Sequence, residues 1–275
     1  MSTFIDKNNS ARATTRSGNV YTGVHIASTT HILDISAELS ALVNAVHNSD
    51  LYVTEMETVQ TKNTAPSPLV LKIIADHGAR TGVPIHYILR DEYGKIHFET
   101  KDANHELGSY IQTNSILKSF GNRFPSTAKI LAKDVAQDKL ESTLKKYAVD
   151  GISRNFPTYD GASGYGSAVR TKNGDIYFGG QYSASDQRLG VHAEMAVLTQ
   201  AISDGATGFT HIALASSKFK DAPASPCGCC RQFISEASHE TNSNPNILLF
   251  ASNSNSSSAY TIDELLPVQW TNRAS

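Results

Sequence analysis

The chain repeats itself. Residues 17–48, SGNVYTGVHIASTTHILDISAELSALVNAVHN, run without a gap alongside residues 173–204, NGDIYFGGQYSASDQRLGVHAEMAVLTQAISD, at an offset of 156 (173 less 17). The pairs Gly18/Gly174, Tyr21/Tyr177, Gly23/Gly179, Leu33/Leu189, Ala37/Ala193, Glu38/Glu194, Leu42/Leu198 and Ala45/Ala201 are identical. Further along, Ser67-Pro68 matches Ser225-Pro226 at an offset of 158, so the loop between the two blocks differs by two residues. Self-similarity at one spacing predicts two copies of one supersecondary unit. A length of 275 residues has room for two such domains, each with its own core.

Each copy opens with a turn, Ser17-Gly18-Asn19 or Asn173-Gly174-Asp175, beside β-prone runs such as GSAVRT and IYFGG, which predicts a hairpin. Apolar residues at helical spacing follow: Leu39, Leu42, Val43 and Val46, then Met195, Leu198, Ala201 and Ile202. In the second copy the run HIALASS at 211–217 predicts a strand. A helix is then expected to open on Pro226 and to run through Phe233 and Ile234. NILLFAS at 246–252 closes the unit as another strand, and PLVLKIIADH and IHYILRD echo this order in the first copy. The Lys-rich stretch AKILAKDVAQDKLESTLKKYAV predicts an extra amphipathic helix with a solvated face near 133–147. The expected units are therefore 1–113, a connecting and opening helix region at 114–149, and 150–275.

A hydrophobic fraction of 40% and a charged fraction of 18% are those of a soluble globular protein. With 24 Lys+Arg against 26 Asp+Glu there is no surplus of positive charge to hold a phosphate backbone, so nucleic acid is not an expected partner. The start, MSTFIDKNNSARATTR, lacks the apolar core of a signal peptide, and no run reaches the 18 or so apolar residues of a membrane helix. The expectation is a cytoplasmic protein without membrane association.

All three cysteines, Cys227, Cys229 and Cys230, fall within four residues, which is useless as a disulfide framework and points to metal or redox chemistry. His192-Ala193-Glu194 precedes Pro226-Cys227-Gly228-Cys229-Cys230-Arg231-Gln232 by about ten turns' worth of helix in sequence. Cysteines at i and i+3 on a helix start share one face, so Cys227 and Cys230 can meet one ion while Cys229 points away. The positive ends of two helices favour thiolate there. His192, Cys227 and Cys230 make three ligands and leave a fourth position open, the pattern of a catalytic rather than a structural zinc site. Glu194 is placed to move a proton between water and substrate. A structural site would need a fourth protein ligand, for which His211 is the nearest spare residue.

These residues resemble the zinc-dependent cytidine deaminase family. The resemblance is carried by His192-Ala193-Glu194, the Pro226–Gln232 motif, Ile176-Tyr177-Phe178-Gly179 upstream and Glu264-Leu265-Leu266-Pro267 downstream. It covers roughly 150–268, with a degenerate echo over 11–110. It implies an α/β fold of two cytidine-deaminase-like units, each a mixed five-stranded sheet with helices on both faces, and a homodimer of such chains. It further implies one Zn2+, a small-molecule nucleoside substrate, and hydrolysis at C4 of a cytosine ring, with Glu194 protonating N3 and ammonia leaving. Arg231 would offset charge or hydrogen-bond around the thiolates.

The same resemblance implies that Phe156 packs on the pyrimidine and that Gln181 and Ser183 face the sugar. Relatives place Asn-x-Glu there, whereas Gln181-Tyr182-Ser183 lacks the carboxylate. The substrate is thus either cytidine or deoxycytidine, or a modified analogue such as an aminopyrimidine antibiotic of the blasticidin type. In the first copy the ligand positions read Ser36, Leu69 and Lys72, which exclude a metal, and Glu38 is expected to accept from backbone amides. A reading of another class is a zinc-stabilised interaction protein with a deaminase fold and no turnover. The intact set His192, Glu194, Cys227 and Cys230 favours the enzyme.

Overall fold

The two units form sheets in which five strands follow one and the same order. The computed structural model describes residues 4–61, 65–103, 123–159 and 161–270. In the first unit β1 (Ile5–Thr15) and β2 (Val20–Ile26) make the hairpin, followed by α1 (Ala37–His47), β3 (Val53–Val59), α2 (Pro68–Thr81), β4 (His86–Arg90) and β5 (Ile96–Thr100). The order is β2-β1-β3-β4-β5, antiparallel except for the parallel pair β3/β4.

The second unit begins with β6 (Lys129–Ile130) and α3 (Leu140–Ile152) and continues through the hairpin β7 (Tyr165–Thr171) and β8 (Ile176–Gly180). Then come α4 (Ala193–Ser203), β9 (Phe209–Ser216), α5 (Gly228–Glu240), β10 (Asn246–Phe250), β11 (Ser257–Tyr260) and the short α6 (Ile262–Leu265). Its order, β11-β10-β9-β7-β8-β6, reproduces the first with the same directions, including the parallel pair β9/β10. The turn glycines correspond as well: Gly18 has φ 86° and Gly174 φ 95°, a conformation that side chains resist.

Four expectations need correction. The second sheet has six strands rather than five, because the connecting segment adds β6 antiparallel to β8. Two residues are too short to carry a periodic signal. The Lys-rich stretch becomes helical only from Leu140, after 3-10 turns at 132–134 and 137–139. Its face Leu140, Leu144 and Ala148 packs under Ala168, Ile176, Phe178 and Ala213. The expected boundary at 149/150 therefore cuts α3, a helix of the second unit; the boundary at 113/114 lies outside the described residues. Finally, Pro226 is not helical. Cys227 is the N-cap of α5, whereas Pro68 does open α2 behind the cap Ser67.

The helices lie on both faces of the second sheet, α3 on one and α4 on the other, so its strands are nearly continuous apolar runs. In the first sheet, among the described residues, helices cover one face only. Strands β1 and β3 accordingly alternate, with Ala11, Ala13, Val53 and Met56 inside and Arg12 outside.

One continuous core joins the two units, holding Leu42, Val43 and Val46 with Val197, Leu198 and Ala201. Across it α1 packs against α4 and β8, and α4 packs against β2. His47, the last residue of α1, lies on β8, its Nε2 2.8 Å from the Gly180 carbonyl and its Nδ1 3.0 Å from the Gln200 side-chain amide. A Cβ on Gly179 would sit under 3.0 Å from the His47 ring. Gly179→Ala is expected to lower stability by roughly 1–3 kcal/mol through overpacking, read by denaturant unfolding. Unchanged stability would mean that the ring can step aside.

Candidate active site

Two helix starts converge on the candidate metal centre. His192 is the N-cap of α4 and Cys227 the N-cap of α5, both in extended backbone and neither capping its helix with its side chain. In the first unit the position equivalent to His192 does cap: Ser36 accepts from the Leu39 amide at 3.2 Å, while the second helix is capped by Ser67, which accepts from the amide of Leu69, the counterpart of Cys227, at 3.3 Å. One backbone position thus has two uses. A hydroxyl at Ser36 turns back to an orphan amide, whereas the imidazole at His192 stays free to ligate.

His192 Nδ1 lies 3.3 Å from Cys227 Sγ and 3.3 Å from Cys230 Sγ, and the two sulfurs are 3.6 Å apart. A tetrahedral ion with bonds of about 2.3 Å to sulfur and about 2.0 Å to nitrogen sets its ligands roughly 3.5–3.8 Å apart, within a few tenths of an ångström of these separations. Two thiolates and an imidazole suit zinc and not magnesium or calcium. The residues therefore fit the ion, and three ligands leave one position for water or substrate. Among the described residues this is the one group of three or more His, Cys, Asp or Glu side chains so placed. Cys229 is exposed and outside it.

The site is electrostatically prepared. The Cys230 thiol and then His192 hold Cys227 down to about 3, so it is a thiolate. That thiolate in turn pushes Cys230 well up, with burial adding to the effect, and raises His192. Ligation must therefore release protons. Glu194, in the first turn of α4, is 4% exposed. Its carboxyl lies against the Cys230 sulfur, and burial raises its pKa above the ordinary carboxylate value.

The counterparts in the first unit do other work. Leu69 is exposed, and Lys72 pairs at 2.8 Å with Asp186 of the second unit. Glu38 does not cap backbone amides as expected. It accepts from Thr58 Oγ1 at 2.8 Å and Tyr87 Oη at 3.3 Å, because it is buried under β3 and β4, whose hydroxyls reach it first.

A cavity of about 560 Å3 opens beside His192, between loops 155–165 and 181–190. Gln181 and Ser183 line it, and Gln181 Nε2 donates to Ser183 Oγ at 3.0 Å. Phe156 does not line it, contrary to expectation. It is 0% exposed, stacked against His77 at 4.9 Å and Tyr182 at 5.0 Å, with the Arg80 guanidinium 3.8 Å above its ring centre. Helix α2 of the other unit has taken that face.

Arg231 reaches no sulfur. It donates to the carbonyls of Pro226 at 2.9 Å and Leu265 at 3.0 Å and to Ser225 Oγ at 3.1 Å, so it holds the turn that delivers Cys227. Sequence reasoning missed Asn155, Tyr165 and Lys218 in the cavity wall. Asn155 Oδ1 accepts from the Gln181 amide at 3.1 Å and so sets that strand end. Lys218 follows the carboxyl end of β9, the end of a parallel strand where such sheets bind ligands; that rule would have found it.

Residues 143–242 match the family model for the cytidine and deoxycytidylate deaminase zinc-binding region. The chain is similar to a blasticidin-S deaminase of Bacillus cereus, 28% identical over 144 residues, covering 50% of this chain and 96% of that protein. It is 40% identical over 68 residues to a probable cytidine deaminase of Dictyostelium discoideum, covering 25% and 46%. It is 36% identical over 73 residues to a cytidine deaminase of Aliivibrio fischeri, covering 26% and 22%, so the match spans less than half of each of these two relatives. A solved cytidine deaminase of Burkholderia pseudomallei superposes with a TM-score of 0.42 and 23% identity, over 47% of this chain and 98% of that one. No helix among the described residues is long and apolar enough to cross a membrane.

Proposed function

We propose that this chain, whose residues 143–242 belong to the cytidine and deoxycytidylate deaminase family, hydrolyses the exocyclic amine from the cytosine ring of a nucleoside. The observation that carries the reading is the closed triangle of His192, Cys227 and Cys230 with Glu194 buried against it. Zinc held by His192, Cys227 and Cys230 would supply a Lewis acid that lowers the pKa of water to about 7. Glu194 does the proton work. Its carboxylate takes a proton from the attacking water and gives it to N3 of the ring as the C4–O bond forms. The same carboxylate then takes the proton of the new C4 hydroxyl and passes it to the exocyclic nitrogen; the C4–N bond breaks, the C4 carbonyl forms and ammonia leaves, with Glu194 returned to its starting state. A carboxyl whose pKa is raised by burial holds a proton closer to neutral pH, which suits this shuttle.

The cavity supports a nucleoside-sized ligand. Its described walls offer neutral groups, Gln181, Ser183 and Asn155, with Lys218 and no carboxylate. That composition supports a substrate whose sugar differs from plain ribose or is held differently. A blasticidin-type nucleoside is the second reading, favoured by the near-complete coverage of the Bacillus cereus relative. The matching strand orders support an origin of the two units by internal duplication, and pairing of chains into a homodimer belongs to the same reading.

Metal analysis of the purified protein is expected to give one zinc per chain, since Ser36, Leu69 and Lys72 offer no second site. Ultraviolet assays on cytidine, deoxycytidine and cytosine nucleoside analogues are expected to find turnover, with an analogue preferred to cytidine. Stoichiometric zinc with no turnover on any of them would favour the non-catalytic interaction protein instead.

A further inference from the structure

We infer that Arg80, in the unit without metal ligands, is a positioning residue for the cavity of the other unit and sets how tightly the sugar side of the ligand is held. The inference rests on the reading of that cavity as a nucleoside site. Arg80 sits on α2 and is 2% exposed. One guanidinium nitrogen, Nη1, donates to Asp76 Oδ2 at 3.1 Å and to the Ser183 carbonyl. The other, Nη2, donates to the Pro157 carbonyl and, at 3.4 Å, to that of Phe156. The guanidinium carbon stands 3.8 Å from the centre of the Phe156 ring. Pro157 and Ser183 line the cavity from two different loops. A single planar cation therefore ties both loops together from behind, out of reach of the ligand.

The neighbours on α2 act on the same two segments. His77 Nδ1 accepts from Tyr182 Oη at 3.0 Å, and its ring stacks on Phe156 and Tyr182. Asp76 Oδ2 also accepts from the Ser185 amide at 3.4 Å. Stability alone does not explain the arrangement, because a buried ion pair is often replaced by apolar residues at little cost. What apolar residues cannot supply is a rigid fork of donors that fixes two carbonyls at once. Lysine, a point charge on a flexible stem, cannot supply it either.

The test is Arg80→Lys beside the double variant Asp76→Leu, Arg80→Leu, which removes both charges so that neither is left unpaired. Each is followed by zinc content, thermal unfolding, steady-state kinetics on the best nucleoside of the panel, and calorimetric binding of uridine. Both variants are expected to stay folded and zinc-loaded. KM and the uridine Kd should rise about tenfold or more while kcat stays within about threefold, the signature of lost ligand binding with the chemical step intact. Folded, zinc-loaded variants with native KM and native uridine affinity overturn the inference. So does a fall in kcat that tracks loss of zinc, which would make Arg80 a support of the metal centre. Native turnover with unchanged variants removes only the Arg80 assignment. A native chain that turns over none of the nucleosides removes the deaminase reading, and the assignment with it.

Discussion

Glu194→Gln is expected to keep its zinc and to lose about 10²–10⁴-fold in kcat/KM, the range of a positioned general acid–base. Glutamine has the shape of glutamate and can still lie against the Cys230 sulfur, but it cannot carry a proton. Glu194 is not among the three side chains whose donor atoms meet, so the metal does not depend on it. Cys227→Ala should do the reverse. It removes one of three ligands and with it the metal, and it lowers stability as well, because a metal bound only by the folded chain stabilises that chain. Metal analysis and steady-state kinetics on the two variants separate the roles. A Glu194→Gln protein retaining a tenth or more of native activity would sink the proposed proton path.

Acid should unfold the protein through two histidines remote from the metal. His47 and His77 are fully buried between the units, and burial lowers both from the ordinary 6.5 to about 4. Each is neutral with Nε2 as donor, to Gly180 O and Leu51 O at 2.8 Å. Tyr182 Oη donates to Nδ1 of His77, and the Gln200 amide must present its nitrogen to Nδ1 of His47. The sign follows from the depressed folded values. Above pH 6.5 neither state binds these protons and the stability is fully present; between 6.5 and about 4 the unfolded chain binds them and the folded chain does not. At about 1.4 kcal/mol per unit and site, the two together could remove roughly 7 kcal/mol, a large share of the 5–15 typical of a domain. Denaturant unfolding from pH 7.5 down to 4.5 measures this slope, and His77→Gln should flatten it. An identical slope in that variant would place the acid sensitivity elsewhere.

The candidate metal centre was legible in the sequence because its parts are local. Cys227 and Cys230 are one helical turn apart, and Glu194 sits two residues after His192. The 156-residue offset then announces a second, similar unit in which Ser36 stands where His192 does. Hairpins and helices follow from signals of the same range: turn glycines, caps and apolar spacing over a dozen residues. Ligand chemistry depends on residue type, and residue type is written in the chain.

The cavity was another matter. An aromatic beside a proline reads the same whether it faces a ligand or the core, and Phe156 faces the core only because α2, nearly 80 positions upstream, covers it. Arg80 and Ser183 are 103 residues apart, and Lys72 and Asp186 are 114 apart. No periodicity spans such separations. The residues that could hold a metal and move a proton were thus determined by the sequence by itself. Which side chains reach the ligand and which stand behind them was decided by the docking of one unit on the other, since burial belongs to the surface that covers a residue and not to the residue.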